Sequence, residues 1–105
     1  MKIEKQDSYS AILIPGGPID ITNSQELKDE LMVLYRQGIR KVTIDFNNVE
    51  SIDSSGLGKL LLFQKKLKEK DGELKIINIT SSYVKKMFSM IHLYKVMNIE
   101  GLGDS

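Results

Sequence analysis

At 105 residues the chain has the size of one ordinary domain, so a single hydrophobic core carries its stability and any site lies on the surface of that core. Hydrophobic residues at 41% and charged residues at 28% exclude a chain that stays disordered, and 15 Lys plus Arg against 14 Asp plus Glu leave a formal charge of +1, too little to draw in nucleic acid or an anionic membrane. With no cysteine, disulfides, thiolate metal centres and thiol nucleophiles are excluded, and the single histidine, His92, leaves little for imidazole ligation. Met1–Gln6 lacks the apolar run of a signal peptide and no later stretch reaches a membrane-spanning length, so the expectation is a cytoplasmic protein without membrane insertion.

Taken in chain order, Ile12, Leu13 and Ile14 form a β-branched run closed by Pro15-Gly16-Gly17-Pro18, which predicts a strand paired with Lys2–Gln6 through a turn near Asp7-Ser8. Thr22 and Asn23 can cap a helix, with Gln25 three residues after Thr22 and Leu27, Leu31 and Leu34 along one face until Gly38. Val42, Ile44 and Phe46 alternate with polar residues and predict a second strand over Lys41–Phe46. A second helix is predicted from near Ser54, with Leu57, Leu60, Leu61 and Leu67 at helical spacing up to Asp71-Gly72. Leu74, Ile76 and Ile77 predict a strand ending around Asn78–Thr80. Ser81 or Ser82 can then cap a helix that uses Val84, Met87, Phe88 and Ile91, before a last short strand at Val96–Ile99.

Strands alternating with helices imply right-handed crossovers, hence an α/β fold with a mixed, mainly parallel β-sheet, an N-terminal β-hairpin and helices packed over the sheet. The whole chain reads as one domain, with residues 100–105 as a frayed tail. Parallel strands present their strand-to-helix junctions at one edge, where open α/β sheets place their sites. Three stretches are expected to share that rim: Gly17-Pro18-Ile19-Asp20, Ile52-Asp53-Ser54-Ser55-Gly56 and Asn78-Ile79-Thr80-Ser81.

Ser54 is placed to cap the second helix, with Asp53 near the same positive helix end. Gly56 and Gly58 cost that helix up to about 1 kcal/mol each, which suggests a close approach to this backbone. Asp53-Ser54-Ser55-Gly56-Leu57-Gly58 resembles the phosphorylation-site loop of the STAS-domain anti-sigma factor antagonists. Gly17-Pro18-Ile19-Asp20 is similar to that family's earlier glycine-any-aliphatic-aspartate motif, and Asn78 with Val84, Phe88 and Leu93 is similar to its last strand and helix.

The resemblance implies a single STAS-like domain of a bacterial stress or sporulation regulator that is not an enzyme and has no cofactor. It implies that the unphosphorylated form binds an anti-sigma factor that is also a serine kinase and thereby frees the sigma factor. Phosphorylation at Ser54, with Ser55 as a minor alternative, then blocks binding, and a phosphoserine phosphatase restores it. The partner surface it implies comprises Gly17, Asp20, Thr22, Asp53, Ser54, Ser55, Gly56, Leu57, Gly58 and Ser81. Pro18 departs from the family, which often has a polar residue there, and the chain has little length for the terminal helix of many relatives.

Each of these residues also has a plainer role. Ser54 can be a simple helix cap, Asp53 can support the turn rather than orient a kinase or phosphatase through Mg²⁺, and Asp20 can stabilise the Gly17–Thr22 turn. Lys59, Lys65, Lys66, Lys68 and Lys70 read as a solvated face, with a docking patch as the alternative. Met87, Met90 and Phe88 read as packing residues and His92 as a residue near a helix end. A Ser54–His92 acyl transferase lacks a nucleophile elbow, and a nucleotide hydrolase lacks a phosphate-binding loop. The stronger alternative is a STAS accessory subunit of a transporter or other signalling complex.

Overall fold

The computed structural model describes residues 1–102 and has five strands and three α-helices. Strands β1 (Lys2–Lys5) and β2 (Ser10–Ile14) form an antiparallel hairpin, closed where the Asp7 carboxylate accepts the Tyr9 and Ser10 amides. Strands β3 (Lys41–Asp45), β4 (Glu73–Ile77) and β5 (Asn98–Ile99) then add in parallel, giving the order β1-β2-β3-β4-β5. Helices α1 (Ser24–Arg36), α2 (Ser54–Lys68) and α3 (Ser82–Met90) fill the three crossovers. Right-handed crossovers between strands laid down in one direction bring all the helices to one face. Burial agrees: Ala11, Leu13, Val42, Ile44, Leu74 and Ile76 are buried, while the alternate residues Ile12, Thr43 and Lys75 are only half-buried on the other face.

Leu27, Leu31 and Leu34 of α1 are buried as the period predicts, and Phe88 of α3 packs on Phe46 beyond β3 with ring centroids 5.8 Å apart. Two helix faces differ from the sequence reading. In α2 the buried stripe is Leu60, Phe63, Gln64 and Leu67, and Leu61 turns outward. Gln64 is admitted to the core because its side chain donates to the Val96 carbonyl and accepts the Leu74 amide, which joins α2 to the sheet without an unpaired polar group. In α3 the helix stops at Met90, so Met90 and Ile91 fall beyond the last turn that reaches the core and are exposed, where packing was expected.

His92 follows in the left-handed conformation and opens a short 3₁₀ turn over Leu93–Lys95, which shortens the last strand from the expected Val96–Ile99 to Asn98–Ile99. Within the expected frayed tail, Glu100 and Leu102 make backbone hydrogen bonds. The Glu100 amide donates to the Ile76 carbonyl, the Leu102 amide to that of Ile99, and Leu102 packs against the core. Residues 103–105 lie outside the described residues.

Candidate functional site

The three strand-to-helix junctions meet at one edge of the sheet and are stitched together by backbone and side-chain hydrogen bonds. Ile19 and Ile52 form an isolated parallel bridge, with the Ile19 amide donating to the Ser51 carbonyl and the Asp53 amide to the Ile19 carbonyl, each at 3.0 Å. On the other side, the Thr80 hydroxyl donates to the Asn47 carbonyl at 2.9 Å and the Ser81 hydroxyl to the Glu50 carbonyl at 2.8 Å. The loop carrying Asp53 and Ser54 is therefore held between its two neighbours.

The first junction organises itself around Asp20. Its carboxylate accepts the Thr22 amide and hydroxyl, so Thr22 closes a turn and does not cap α1 as expected. Asn23 occupies the cap position, but its side chain is spent on the loop: it accepts the Asp20 amide and donates to the Pro18 carbonyl. Gly17 is half-buried in this loop, and no atom would crowd a Cβ placed on it.

The second junction corrects the reading of the helix cap. Asp53, not Ser54, is the N-cap of α2: its Oδ1 accepts the Ser55 amide at 3.0 Å, the Gly56 amide at 3.1 Å and the Ser55 hydroxyl, while Oδ2 accepts the Ile21 amide at 3.1 Å. These donors, led by the Ser55 hydroxyl and then the Gly56 amide, hold the Asp53 carboxyl below the ordinary value of 3.8. Ser55 is half-buried and its hydroxyl is engaged. Ser54, the first helical residue, is exposed, and among the described residues its hydroxyl has no hydrogen-bond partner.

The two glycines of this turn have different causes. A Cβ on Gly56 would lie 2.5 Å from Ile19 Cγ2 and 3.1 Å from Ile52 Cγ1, so the close approach inferred at this buried residue comes from the protein's own core. That removes Gly56 from the accessible rim. A Cβ on half-buried Gly58 would meet nothing within 4 Å. Leu57, also half-buried, packs against the edge of the core.

At the third junction Ser81 is the cap of α3, accepting the Val84 amide at 3.1 Å while its own proton goes to Glu50. The helix carries the chain away from the rim, so His92 lies about 13 Å or more along the helix axis from Ser81 by the rise of an α-helix. Sequence reasoning missed two rim residues. Ile21 is 77% exposed although apolar, because the Asp20 turn lifts it out, and Tyr83 is 61% exposed in the first turn of α3. Tyr83 could have been found as the aromatic out of phase with Val84 and Phe88; no local signal marks Ile21.

A five-stranded mixed sheet with its hairpin at one edge, three helices on one face and a serine-bearing turn at the rim defines the chain as a STAS domain. The family's sequence profile matches residues 1–101, and the chain belongs to that family. It is similar to the anti-sigma-B factor antagonist of Staphylococcus aureus strain NCTC 8325, with 29% identity over 94 residues covering 90% of this chain and 85% of that one. Among solved structures, TM1081 of Thermotoga maritima superposes with a TM-score of 0.85 at 23% identity, covering 93% of this chain and 83% of that one. The anti-sigma factor antagonist SpoIIAA in its unphosphorylated form gives a TM-score of 0.75 at 16% identity, covering 97% of this chain and 88% of the other. Its phosphorylated form gives 0.73 at 18% identity, covering 93% and 88%. Among the described residues, no helix is long and apolar enough to cross a membrane.

Proposed function

We propose that the chain is an anti-sigma factor antagonist that works by partner switching: unphosphorylated, it binds an anti-sigma factor with serine kinase activity and frees the sigma factor, and phosphorylation at Ser54 abolishes that binding. The observation that carries this reading is the division of labour at the start of α2. Asp53 satisfies the first-turn amides, so the Ser54 hydroxyl is left exposed and unused by the fold. Ser55 is the weaker candidate because its hydroxyl is bound to Asp53. Exposed apolar Ile21 and Tyr83 on the same rim, with Gly17, Asp20, Thr22, Leu57, Gly58 and Ser81, supply a surface suited to a protein partner.

A phosphate adds about −1.5 to −2 charges. At Ser54 it would find the Ser55 and Gly56 amides already held by Asp53, so its charge projects into solvent rather than into the helix end. The fold then survives while a partner closing over the rim must desolvate two adjacent anions. A binding penalty of about 3 kcal/mol is more than a hundredfold in affinity, enough for a switch without a conformational change. The similarity to anti-sigma-B factor antagonists favours this reading over an accessory role in a transporter complex. No reaction is assigned to the chain itself; the kinase and an opposing phosphoserine phosphatase act on it.

The test is to incubate the purified chain with candidate anti-sigma kinases and ATP and to locate phosphate by mass spectrometry. Ser54→Ala is expected to bind the kinase and remain unmodified, and Ser54→Asp to bind at least about tenfold more weakly. Phosphate on another residue, together with parental binding by both variants, overturns the assignment.

A further inference from the structure

The groove between α1 and α2 is a second feature that the Ser54 site does not use. It encloses about 330 Å³, floored by Leu31 and Met32 of α1 and Leu62 and Phe63 of α2. Its rim is basic: Lys28 stands on the α1 side and Lys59, Lys65 and Lys66 on the α2 side, with Glu69 the acidic side chain among the lining residues. On α2 the set Lys59, Leu62, Phe63 and Lys66 follows i, i+3, i+4 and i+7, so one stripe of the helix sets two apolar side chains between two cations towards the groove. Leu62 is 65% exposed, an apolar contact left open beside these cations. Among the described residues none of the four lysines is in an ion pair. The ammonium of Lys66 stands 5.6 Å from the centre of the Tyr35 ring, which steadies it at the groove's edge.

We propose that this groove docks an acidic amphipathic helix of a partner protein. The spacing of the cations decides the ligand. Lys59 and Lys66 are seven residues apart on one helix, about 10 Å along its axis, and Lys28 faces them from the other wall. A ligand with one carboxylate uses one end of such a row. A helix with acidic side chains one and two turns apart meets the whole row, while its apolar face covers Leu62 and Met32. The acidic residues of α1, Glu26, Asp29 and Glu30, are not among the groove-lining residues. The positive potential there is thus local, although the chain as a whole carries only +1. Ser54 lies at the first position of α2, before the groove begins at Lys59, so this site stands independently of the partner-switching reading.

The experiment titrates the isotope-labelled full chain with a designed helix-forming peptide about four turns long, leucine on one face flanked by glutamate, and follows backbone amide shifts. The expected result is saturable binding at about 10⁻⁵ to 10⁻⁴ M with shifts confined to Lys28–Met32 and Lys59–Lys66, and no shifts from the same peptide with lysine in place of glutamate. Leu62→Glu and the double variant Lys59→Glu/Lys66→Glu are each expected to weaken binding at least about tenfold with an unchanged melting curve, whereas Ser54→Asp binds like the parent. The milder pair Leu62→Ser and Lys66→Gln carries the test if either stronger variant fails to fold. The proposal is overturned by no binding at about 1 mM, by shifts outside the groove, or by variants that bind like the parent. It is overturned equally if dodecanoate or phosphatidylglycerol vesicles shift the groove amides and the acidic peptide does not.

Discussion

The Asp53 carboxylate takes the backbone amide of Ile21, 32 residues away in sequence, at 3.1 Å. One side chain therefore caps α2 and fixes the preceding junction against it. Replacing Asp53 with Ala is expected to lower the urea midpoint and to speed hydrogen exchange at Ile21, Ser55 and Gly56 together. Asp53→Asn, which keeps acceptor oxygen at one position, is expected to lie between the parent and Ala. An Ile21 amide that exchanges at the parental rate in Asp53→Ala would remove this tie.

The same contacts set a pH dependence. Hydrogen bonds from the Ser55 hydroxyl, the Gly56 amide and the Ile21 amide hold Asp53 below its ordinary value of 3.8. The folded pKa is thus lower than the unfolded one, so the stabilisation from this ionised carboxylate is full above the unfolded value and is lost as pH falls through the folded one. Carboxyl NMR titration is expected to place the Asp53 midpoint below 3.8, with Ser55→Ala moving it upward. A phosphate on Ser54 is expected to move it upward as well, since a neighbouring anion disfavours ionisation. A parental midpoint at or above the ordinary value contradicts the hydrogen-bond geometry.

Much of the fold and the edge carrying the site were legible in the sequence, because both rest on local signals. The Val42-Ile44-Phe46 alternation, the Leu27-Leu31-Leu34 stripe and the glycine breaks specify elements, and parallel topology then brings the junctions to one edge. What was not legible depends on which side chain wins a tertiary contact. Asp53 and Ser54 are both good helix caps by type, and the choice follows from Asp53 also reaching Ile21, which no local pattern reveals. Gln64 in the core and Ile21 on the surface invert their usual preferences for the same reason. Gln64 finds two backbone partners, and Ile21 is lifted outward by a turn built on Asp20.

The two glycines of the Ser54 turn are expected to part company on substitution. Gly56→Ala forces a methyl against Ile19 and Ile52, and overpacking of this kind costs about 1–3 kcal/mol. Gly58→Ala meets no obstacle within 4 Å and gains helix propensity, so it is expected to leave stability unchanged or raise it by up to about 1 kcal/mol. If the partner closes over this turn, Gly58→Ala weakens kinase binding in a fully folded protein. Denaturation curves and binding measured on the two variants separate a packing glycine from a contact glycine, and equal destabilisation by both would contradict the different surroundings of the two positions.

Ser81 links the third junction to the loop that carries Ser54. Its hydroxyl accepts the Val84 amide and donates to the Glu50 carbonyl, so Ser81→Ala removes the α3 cap and the tie in one step. Loss of the cap alone costs about 1 kcal/mol, and the freed Glu50 carbonyl can turn to water because Glu50 is exposed. The expected outcome is therefore a stability loss near that of a single cap, with faster exchange at Val84. Ser81→Asp keeps an acceptor for the Val84 amide but cannot donate to Glu50. Its melting curve separates the two roles: recovery of most of the loss assigns the effect to the cap, whereas no recovery assigns it to the link between junctions.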